Sequence, residues 1–467
     1  MKGYVLGVHN GFESGVCLIY NGEILEAVSE ERFNFIKVYA GIPRLAFEYI
    51  LKKYNLGVDD IEAVVYSRVT FKNNWYKYIL KIFKKLIISI VQNPLLIKVF
   101  FHRIKTELHD RKFLNQFYEW MESEGIKKNK IILLDHHKAH AWSAFSCSPF
   151  KEALILTADG RGDFKSTTVS EANFENGLKE IDFLTSFDSI GFLYAQVTKF
   201  LGFTPHRHEG KVTGLAAYGD SKKTISIFKR IVSWNSILGH WNTNLKLYSP
   251  HNINKLKSFN KILAQYKKED IAAGVQKHCE DLIVKYIKFW LKKLKKKEPV
   301  NICLAGGLFA NVKINQKIAE INGVKNIFIF PNMGDGGLTV GGVCYKNFID
   351  NKLSKVKFKN VYLGKNYNEK EILNSLSDYK DKITFSKMSN RSVEISKQLE
   401  ENKVVGYFDG RMEFGPRALG SRSILVNAEN KSINDYLNKR LERTEFMPFA
   451  PVTPIDYASE CYLNWED

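Results

Sequence analysis

Short apolar runs alternate with amphipathic helical patterns along most of this chain, and this alternation limits the folds that it can adopt. The first 30 residues predict three strands joined by glycine-containing turns, with the hairpin dipeptide Asn21-Gly22 between the second and the third. Residues 43–54 then predict a helix and residues 63–66 a buried strand. This order predicts α/β layers with functional loops at the carboxyl ends of strands.

The alternation continues and then gives way to a second domain. ALILTADG predicts a strand that ends in a loop, residues 191–201 a helix, NICLAGG a strand and residues 311–318 a helix. A first domain over 1–350 is therefore expected, followed by a polar, basic linker over 351–359. Two or three domains are usual for 467 residues.

The expected second domain covers 360–467. It contains a predicted helix near 392–401, the strand VVGYF and the loop DGRMEFGPRALGSRS. In the first domain, residues 75–101 are apolar and basic but too interrupted for a membrane span of about 20 residues. We interpret them as part of a helical basic insertion over about 71–130, with peripheral membrane contact as the alternative.

Lysine and arginine outnumber aspartate and glutamate by 69 to 50, which gives a net charge of +19. Such an excess favours nucleic acid, an anionic membrane or phosphorylated substrates. No RNA-binding aromatic motif or zinc finger accompanies it, so nucleic acid is not the expected partner. The six cysteines form no CxxC pair, and the N-terminus lacks a signal-peptide pattern, so a cytoplasmic protein with reduced thiols is expected.

The segment DHHKAH predicts a metal site. It places His136 and His140 four residues apart, so on a helix both imidazoles share one face, while His137 points elsewhere. Asp159 follows the strand ALILT, and Asp335 lies among glycines before an apolar segment. Each residue alone is also typical of a turn or a core histidine. Together, two histidines and two carboxylates suit iron, manganese or zinc.

Two glycine-containing motifs lie between these pieces. HRHEGKVTGLAAYGD combines Glu209 and Lys211 with flexible glycines, and in LAGGLFANVKIN the glycines Gly306 and Gly307 follow a strand and precede Asn311. Such loops let a backbone approach a ligand closely, although a glycine-rich loop alone is weak support for nucleotide binding.

The order of the motifs is specific where each motif alone is not. The G-x-H-N turn, HHKAH, DGRGD, EGKVTGLAAYG, AGGLFANVKIN, PNMGDGGLTVGG and GRMEFGPRALGSRSIL follow one another along nearly the whole chain. In this order they resemble the O-carbamoyltransferases of antibiotic tailoring and nodulation-factor synthesis. The resemblance implies a large, two-lobed domain of the actin and sugar-kinase type, followed by a smaller α/β domain similar to the threonylcarbamoyl-adenylate synthase.

The resemblance also implies a division of chemistry. The small domain would condense carbamoyl phosphate with ATP to carbamoyl-adenylate. The large domain would then move the carbamoyl group to a hydroxyl of a small acceptor, such as a sugar, a lipid-linked sugar or a natural product. The alternatives are a tRNA-modification protein of the threonylcarbamoyl type and a degenerate, membrane-associated relative without catalysis. The oligomeric state is left open, with a homodimer as one alternative.

Functional residues follow from the matching motifs. The metal, with iron the usual ion, would be held by His136, His140, Asp159 and Asp335. His9 would be the general base, with a turn histidine that caps a strand as the alternative. The expected adenylate contacts are Glu209, Lys211, Gly306, Gly307 and Asn311. The expected ligands of carbamoyl phosphate and ATP are Arg411, Arg417, Arg422, Ser423 and Arg443, with Glu413 part of the same signature.

The chain departs from the family pattern in its second domain. Leu441 and Met447 stand where relatives carry a lysine and an arginine, which should weaken phosphate binding unless Lys439 and Arg440 take over. The chain also stops at Asp467, before stretches that complete the small domain in relatives. We therefore expect a small domain that is C-terminally truncated. Three explanations stay open: the chain is truncated, a separate subunit completes the site, or the protein keeps only the transfer and acceptor-binding functions.

Overall fold

A computed structural model describes most of the chain. The described residues are 3–68, 80, 96–248, 253–350, 355–429, 432–441, 449–463 and 465. They divide into two compact units, the first formed by Met1–Lys365 with Glu413–Arg417 and the second by Asn366–Met412 with Ala418–Asp467. A five-residue segment of the arginine-containing signature thus belongs to the first unit, although its neighbours on both sides belong to the second.

The first unit begins with a five-stranded mixed sheet. Its strands are β1 (Tyr4–His9), β2 (Gly15–Tyr20), β3 (Glu23–Ser29), β4 (Ile61–Tyr66) and β5 (Ile131–Leu133). Their order is β3-β2-β1-β4-β5, with β1, β2 and β3 antiparallel and with β4 and β5 parallel to β1. The three strands predicted for the first 30 residues and the strand predicted at 63–66 are confirmed.

A second sheet repeats this topology. Its strands are β6 (Glu152–Gly162), β7 (Lys165–Asn173), β8 (Gly177–Thr185), β11 (Val300–Ala305) and β12 (Val324–Ile329). The order is β12-β11-β6-β7-β8, and from β8 to β12 the neighbours are antiparallel, antiparallel, parallel and parallel, as they are from β3 to β5 in the first sheet. A hairpin of β9 (Val232–Asn235) and β10 (His240–Thr243) forms a separate small sheet. The expected two-lobed α/β domain is therefore confirmed by two sheets of one topology.

Helices cover these sheets. They are α1 (Glu31–Asn34), α2 (Arg44–Tyr54), α3 (Leu96–Ser123), α4 (His136–Cys147), α5 (Ile190–Phe200), α6 (Glu209–Leu215), α7 (Ile225–Ile231), α8 (Ile253–Leu263), α9 (Lys268–Lys293), α10 (Val312–Ala319) and α11 (Leu338–Asp350). Helix α3 lies in the predicted insertion, whereas most of 75–95 falls outside the described residues. Within the described parts of the chain, no helix has the length and apolar character needed to cross a membrane.

Two helices join the lobes. Helix α4 packs on β6 and β11, helix α11 packs on β1, β2 and β4, and the two helices pack directly on each other. A Cβ atom on Gly341 would lie 1.8 Å from the carbonyl oxygen of Ala139, so this close approach requires glycine. The apolar side chains around these helices, including Trp142 and Phe330, form one buried cluster. The packing brings the beginning of α4 close to the turn that precedes α11.

The second unit is smaller and more exposed. It contains the antiparallel strands β13 (Val405–Phe408) and β14 (Arg422–Leu425) and the helices α12 (Glu369–Ser377), α13 (Arg391–Glu400), α14 (Ile433–Arg440) and α15 (Ala458–Cys461). The helix predicted near 392–401 and the strand VVGYF are confirmed. Of the residues that the structure describes in this unit, only Leu437, Asn438 and Ala458 are buried.

Candidate metal centre

His136 and His140, the two histidines of DHHKAH that are predicted to bind metal, lie in the first two turns of α4. Asp135 caps this helix by accepting a hydrogen bond from the Lys138 amide at 3.0 Å. The His136 amide donates to Asp163 Oδ2 at 2.9 Å. The side chains of His136 and His140 are fully buried, and their ring centroids are 4.8 Å apart. The N-terminal cap thus fixes the part of the helix from which both rings project.

Asp159 reaches the centre from an irregular part of the second sheet. The sequence predicted that the strand ends before this residue, but β6 continues to Gly162. The pairing with β7 changes register between Ala158 and Gly162, so Asp159 lies in a bulge. A Cβ atom on Gly162 would lie 2.1 Å from His136 Cδ2, so glycine is required for the histidine ring to fit beside the strand.

Asp335 begins a single 3-10 turn, Asp335–Gly337, that leads directly into α11. Its Oδ1 atom lies 3.4 Å from His136 Nε2 and 3.5 Å from His140 Nε2. Asp159 Oδ2 lies 3.4 Å from His136 Nε2. One donor atom from each of these four residues lies within 4.8 Å of the others. The structure therefore brings together the four residues that the sequence motifs predicted to be metal ligands.

These four residues fit a metal ion. Two ligands at about 2.1 Å from one ion, with a tetrahedral angle between them, lie about 3.4 Å apart, which matches the observed separations. Both ring nitrogens of His136 and of His140 are buried and have no hydrogen-bond partner within the described part of the chain, and such atoms are costly to leave unsatisfied. Imidazole and carboxylate ligands suit iron, manganese or zinc.

Charge at the centre is distributed between acids and imidazoles. Burial would raise the pKa of Asp335, but the neighbouring histidines, His136 first, hold it well below its usual value. Burial would lower the pKa of His136, but the carboxylates of Asp335 and Asp159 outweigh this effect and raise it. The centre therefore favours positive charge next to the carboxylates, which a divalent cation also provides.

A buried ion cluster supports the helix that carries the histidines. Lys165 is fully buried, and its Nζ atom lies 3.1 Å from Asp135 Oδ2 and 2.6 Å from Glu180 Oε2. Although burial opposes it, the Lys165 ammonium group lowers the pKa of Asp135 to about 2. His137 points away from the centre, and its Nδ1 atom is 2.7 Å from Thr157 Oγ1. No sequence pattern pointed to Lys165, because a lysine inside a strand gives no signal of burial.

His9 ends β1 beside the four ligands. Its Nε2 atom lies 3.7 Å from Asp335 Oδ2, and neither ring nitrogen has a hydrogen-bond partner among the described residues. Burial lowers the pKa of His9, although Asp335 opposes this effect. A neutral imidazole with two unpartnered nitrogens is well suited to accept a proton.

Glu13 is a further acidic residue at this centre that the sequence analysis missed. It lies in the turn between β1 and β2, and its Oε2 atom accepts a hydrogen bond from the Gly336 amide at 3.1 Å. Burial and the nearby carboxylates, which include Asp335, raise its pKa to about 7. Only the long-range packing of this turn on the Asp335 turn brings Glu13 here, so no local pattern could have predicted it.

The residues expected to contact adenylate have different positions. The Gly307 amide donates to Asp159 Oδ1 at 3.2 Å, and the Gly306 amide donates to the carbonyl of Met333 at 2.7 Å. These glycines therefore join the Asp159 bulge to the loop that carries Asp335. Asn311 caps α10 through Oδ1 and donates to Gln276 Oε1 at 2.7 Å.

The remaining two residues of this group lie at the start of α6. Glu209 Oε1 accepts a hydrogen bond from the His206 amide at 2.7 Å. The Nζ atom of Lys211 lies 5.5 Å from the centroid of the Phe203 ring. Both residues lie in the same unit as the predicted metal ligands. Their assignment as adenylate contacts stays a prediction.

The signature loop is divided. The Phe414 amide donates to the carbonyl of Val361 at 2.8 Å, and Arg32 Nη2 donates to the carbonyl of Gly415 at 3.1 Å. Phe414 is buried in the cluster that surrounds α4 and α11, so it anchors Glu413–Arg417 in the first unit. Arg417 is exposed, and its Nη2 atom lies 4.0 Å from the position of a Cβ atom on Gly210.

Other residues of the signature lie in the second unit. Arg422 Nη1 donates to the carbonyl of Asp409 at 2.8 Å, and its guanidinium group lies 3.6 Å from the centroid of the Phe408 ring. Ser423 Oγ accepts a hydrogen bond from the Gly420 amide at 3.0 Å, and Arg411 is half-buried. Arg443 and Met447 fall outside the described residues, and Leu441 is 42% exposed at the end of α14.

Comparison with known families identifies the class of this protein. The family model for the carbamoyltransferase N-terminus matches residues 4–344, and the model for the carbamoyltransferase C-terminus matches residues 396–467. The chain belongs to the carbamoyltransferase family, whose members are group-transfer enzymes.

Several proteins are similar in sequence. The uncharacterized protein MJ1051 of Methanocaldococcus jannaschii is 33% identical over 98% of this chain and 80% of its own length. The uncharacterized protein MJ1058 of the same organism is 33% identical over 71% of this chain and 57% of its own length. The nodulation protein NolNO of Sinorhizobium fredii is 27% identical over 97% of this chain and 64% of its own length. The chain thus spans between about half and four fifths of these relatives.

Solved structures show more distant similarity. Component A of the (R)-2-hydroxyglutaryl-CoA dehydratase of Acidaminococcus fermentans is 14% identical, with a TM-score of 0.40, and the match covers 74% of this chain and 99% of that one. HypF of T. kodakarensis is 10% identical, with a TM-score of 0.41, and the match covers 76% of this chain and 48% of that one.

Proposed function

We propose that this protein is an O-carbamoyltransferase that transfers a carbamoyl group from carbamoyl-adenylate to a hydroxyl of a small, sugar-like acceptor. The observation that carries the proposal is the convergence of two histidines and two carboxylates beside His9 in a member of the carbamoyltransferase family. The nodulation protein among its relatives is consistent with a small acceptor.

The four ligand residues would hold a divalent ion, and we propose iron. Such an ion would supply positive charge that holds the adenylate phosphate and polarises the carbamoyl carbonyl. The protein supplies the fixed geometry. His136 and His140 come from one capped helix, while Asp159 and Asp335 come from a bulge and a turn joined through Gly306 and Gly307.

The transfer step exchanges one carbon–oxygen bond for another. The acceptor hydroxyl oxygen attacks the carbamoyl carbon, and the bond from that carbon to the adenylate phosphate oxygen breaks. AMP leaves with the bonding electrons, and the hydroxyl proton passes to His9 Nε2. Asp335 Oδ2, at 3.7 Å from this atom, stabilises the imidazolium group that forms.

Arg417 would contribute to the same step. It is anchored in the first unit by Phe414 and faces Gly210 of the EGK motif, next to Glu209 and Lys211. An exposed guanidinium group there would bind the adenylate phosphate as AMP leaves. This role differs from the carbamoyl phosphate site that the family resemblance implied for the whole signature.

The second unit would form the adenylate. Carbamoyl phosphate, ATP and water would give carbamoyl-adenylate, pyrophosphate and phosphate. The residues proposed to bind these substrates are Arg411, Arg422, Ser423 and Arg443.

Product analysis with purified protein tests both half-reactions. Iron-loaded protein with carbamoyl phosphate, ATP and a sugar acceptor should release AMP and pyrophosphate and form the sugar carbamate. The variant His9→Asn should lower kcat by about 10²-fold to 10⁴-fold, whereas His240→Asn, in the β9–β10 hairpin, should leave it unchanged. Absence of AMP and pyrophosphate would exclude the complete reaction, and absence of AMP from preformed carbamoyl-adenylate would exclude the transfer step.

A further inference from the structure

The turn between β1 and β2 is fixed at both ends. Asn10 is buried, accepts a hydrogen bond from the Tyr66 hydroxyl at 2.5 Å and donates to the carbonyl of Phe113 at 2.9 Å. At the other end the Ser14 amide donates to the carbonyl of Tyr39 at 3.0 Å. The tip between them therefore has a defined direction, which is set by the fold and not by a ligand.

Glu13 lies at this tip in an unusual conformation. Its φ angle is 56°, a left-handed backbone that an L residue other than asparagine or aspartate rarely adopts. This conformation directs the half-buried side chain to the turn after Asp335, where Oε2 accepts the Gly336 amide hydrogen. No hydrogen bond from the described residues reaches Oε1, and this atom is not fully buried.

Solvent reaches the metal centre from the side of its carboxylates. The side chains of Asp159 and Asp335 are 16% and 15% exposed, whereas His136 and His140 are completely buried. Glu13 is attached to the residue that follows Asp335, so it lies on this open side. Glu13 also interacts electrostatically with both Asp335 and Asp159, so it borders the partly exposed carboxylates of the centre.

An aromatic pair stands beside Glu13. The Phe12 ring is stacked on the ring of His206, with centroids 5.3 Å apart and planes at 16°. Phe12 is 52% exposed, and His206 is exposed as well. Phe12 lies in the turn between β1 and β2 of the first sheet, and His206 lies in the loop before α6, which packs on α5 and α9. The pair therefore spans the two lobes and leaves an aromatic surface open to solvent.

We propose that Glu13 and Phe12 position the acceptor. Glu13 Oε1 accepts a hydrogen bond from a hydroxyl or ammonium group that neighbours the reacting hydroxyl, and the Phe12 ring contacts the apolar face of the acceptor. The inference rests on the proposed function. Two rival roles exist for Glu13, as a further metal ligand and as a mere anchor of the Asp335 turn. It is not one of the residues whose donor atoms converge at the centre.

The variant Glu13→Gln separates these roles. Its amide oxygen can still accept the Gly336 hydrogen bond, so an anchor would survive, whereas the charge is lost. With preformed carbamoyl-adenylate and glucose or glucosamine as the probe acceptor, we expect KM for the sugar to rise about 10-fold to 100-fold. We expect kcat, metal content and the hydrolysis of the adenylate by water to stay unchanged. A larger effect for glucosamine would identify the bound group as ammonium.

Matched variants complete the experiment. Glu175→Gln changes an exposed glutamate in the β7–β8 turn and should leave every parameter unchanged. Phe12→Ala removes no hydrogen bond and should raise KM for the sugar by roughly 2-fold to 10-fold, which tests the subsite even if Glu13→Gln folds poorly. An unchanged KM in both variants, or loss of metal in Glu13→Gln, would overturn the inference.

Assays of the wild-type protein separate failure of the acceptor subsite from failure of the proposed carbamoyl transfer. Wild-type protein that carbamoylates the sugars, with KM values that Glu13→Gln and Phe12→Ala leave unchanged, would refute the acceptor subsite and leave carbamoyl transfer standing. Wild-type protein that releases no AMP at all would refute the proposed function, and the subsite with it.

Discussion

The metal centre and the arginine-containing part of the second unit hold their charged groups in different ways. At the centre, His136, His140 and Lys165 are completely buried, and capped or bulged backbone fixes them. In the second unit, Arg391 and Asp409 form a 2.8 Å ion pair with side chains 56% and 45% exposed. Buried charges depend on every partner, whereas exposed pairs contribute little. Substitutions should therefore have much larger effects at the centre.

The largest expected effect is loss of the ion. The variant His140→Ala removes one of four converging donors, so metal content should fall from about one ion per chain to background. Elemental analysis by mass spectrometry after purification measures this. His240→Ala is the matched histidine control. Metal content equal to wild type in His140→Ala would show that the ion is not bound at this centre.

The buried ion cluster should dominate stability. Replacing Lys165 by methionine leaves Asp135 and Glu180 without their cation, and we expect a loss of about 3–5 kcal/mol of unfolding free energy. Chemical denaturation monitored by circular dichroism measures it. Because Asp135 also caps α4, metal affinity should weaken in the same variant. A loss below 1 kcal/mol would mean that water replaces the lysine.

Because Arg417 lies in the first unit and Arg422 in the second, we expect substitution of the two arginines to affect different half-reactions. With preformed carbamoyl-adenylate, Arg417→Ala should raise KM by roughly 10-fold to 100-fold, and Arg422→Ala should leave it unchanged. With carbamoyl phosphate and ATP, Arg422→Ala should slow the release of pyrophosphate. Equal effects of both variants on both assays would contradict the assignment of Arg417 to the transfer step.

The smallest effect is expected on the surface of the second unit. Lys387 pairs with Glu369 at 2.9 Å, but the two side chains are 84% and 68% exposed. Solvent screens such a pair. Lys387→Met should therefore leave the denaturation midpoint unchanged within error. A clear shift would show that exposed charges support this unit more than their environment indicates.

Local patterns predicted most elements and the ligand set. The His136 and His140 spacing follows helical periodicity, Asp159 lies near the end of a strand and Asp335 lies directly before a helix, so each signal lies within a few residues of its cause. The strand end at Asp159 was predicted incorrectly, because a bulge continues the pairing beyond it.

Other features depend on long-range packing. Glu13 meets Gly336 across 323 residues, and Phe414 joins the core of a unit that its neighbours in sequence leave. Lys165 is buried only because Asp135 and Glu180 approach it from other segments. A single sequence, read without alignment to its relatives, carries no signal for such contacts.

The ligands of the centre come from distant points of one chain, with His136 on α4 and Asp335 before α11. An ion that is bound by both residues cross-links two points of the chain that are roughly 200 residues apart. Like a disulfide, but reversibly, such a cross-link restricts the unfolded chain. Unfolding must release the ion, so the thermal midpoint should rise with free metal concentration. At a free metal concentration of 100 times Kd, the unfolding free energy should increase by about 2.7 kcal/mol. Metal supply would then govern how long the protein survives in a cell, independently of the reaction that it catalyses.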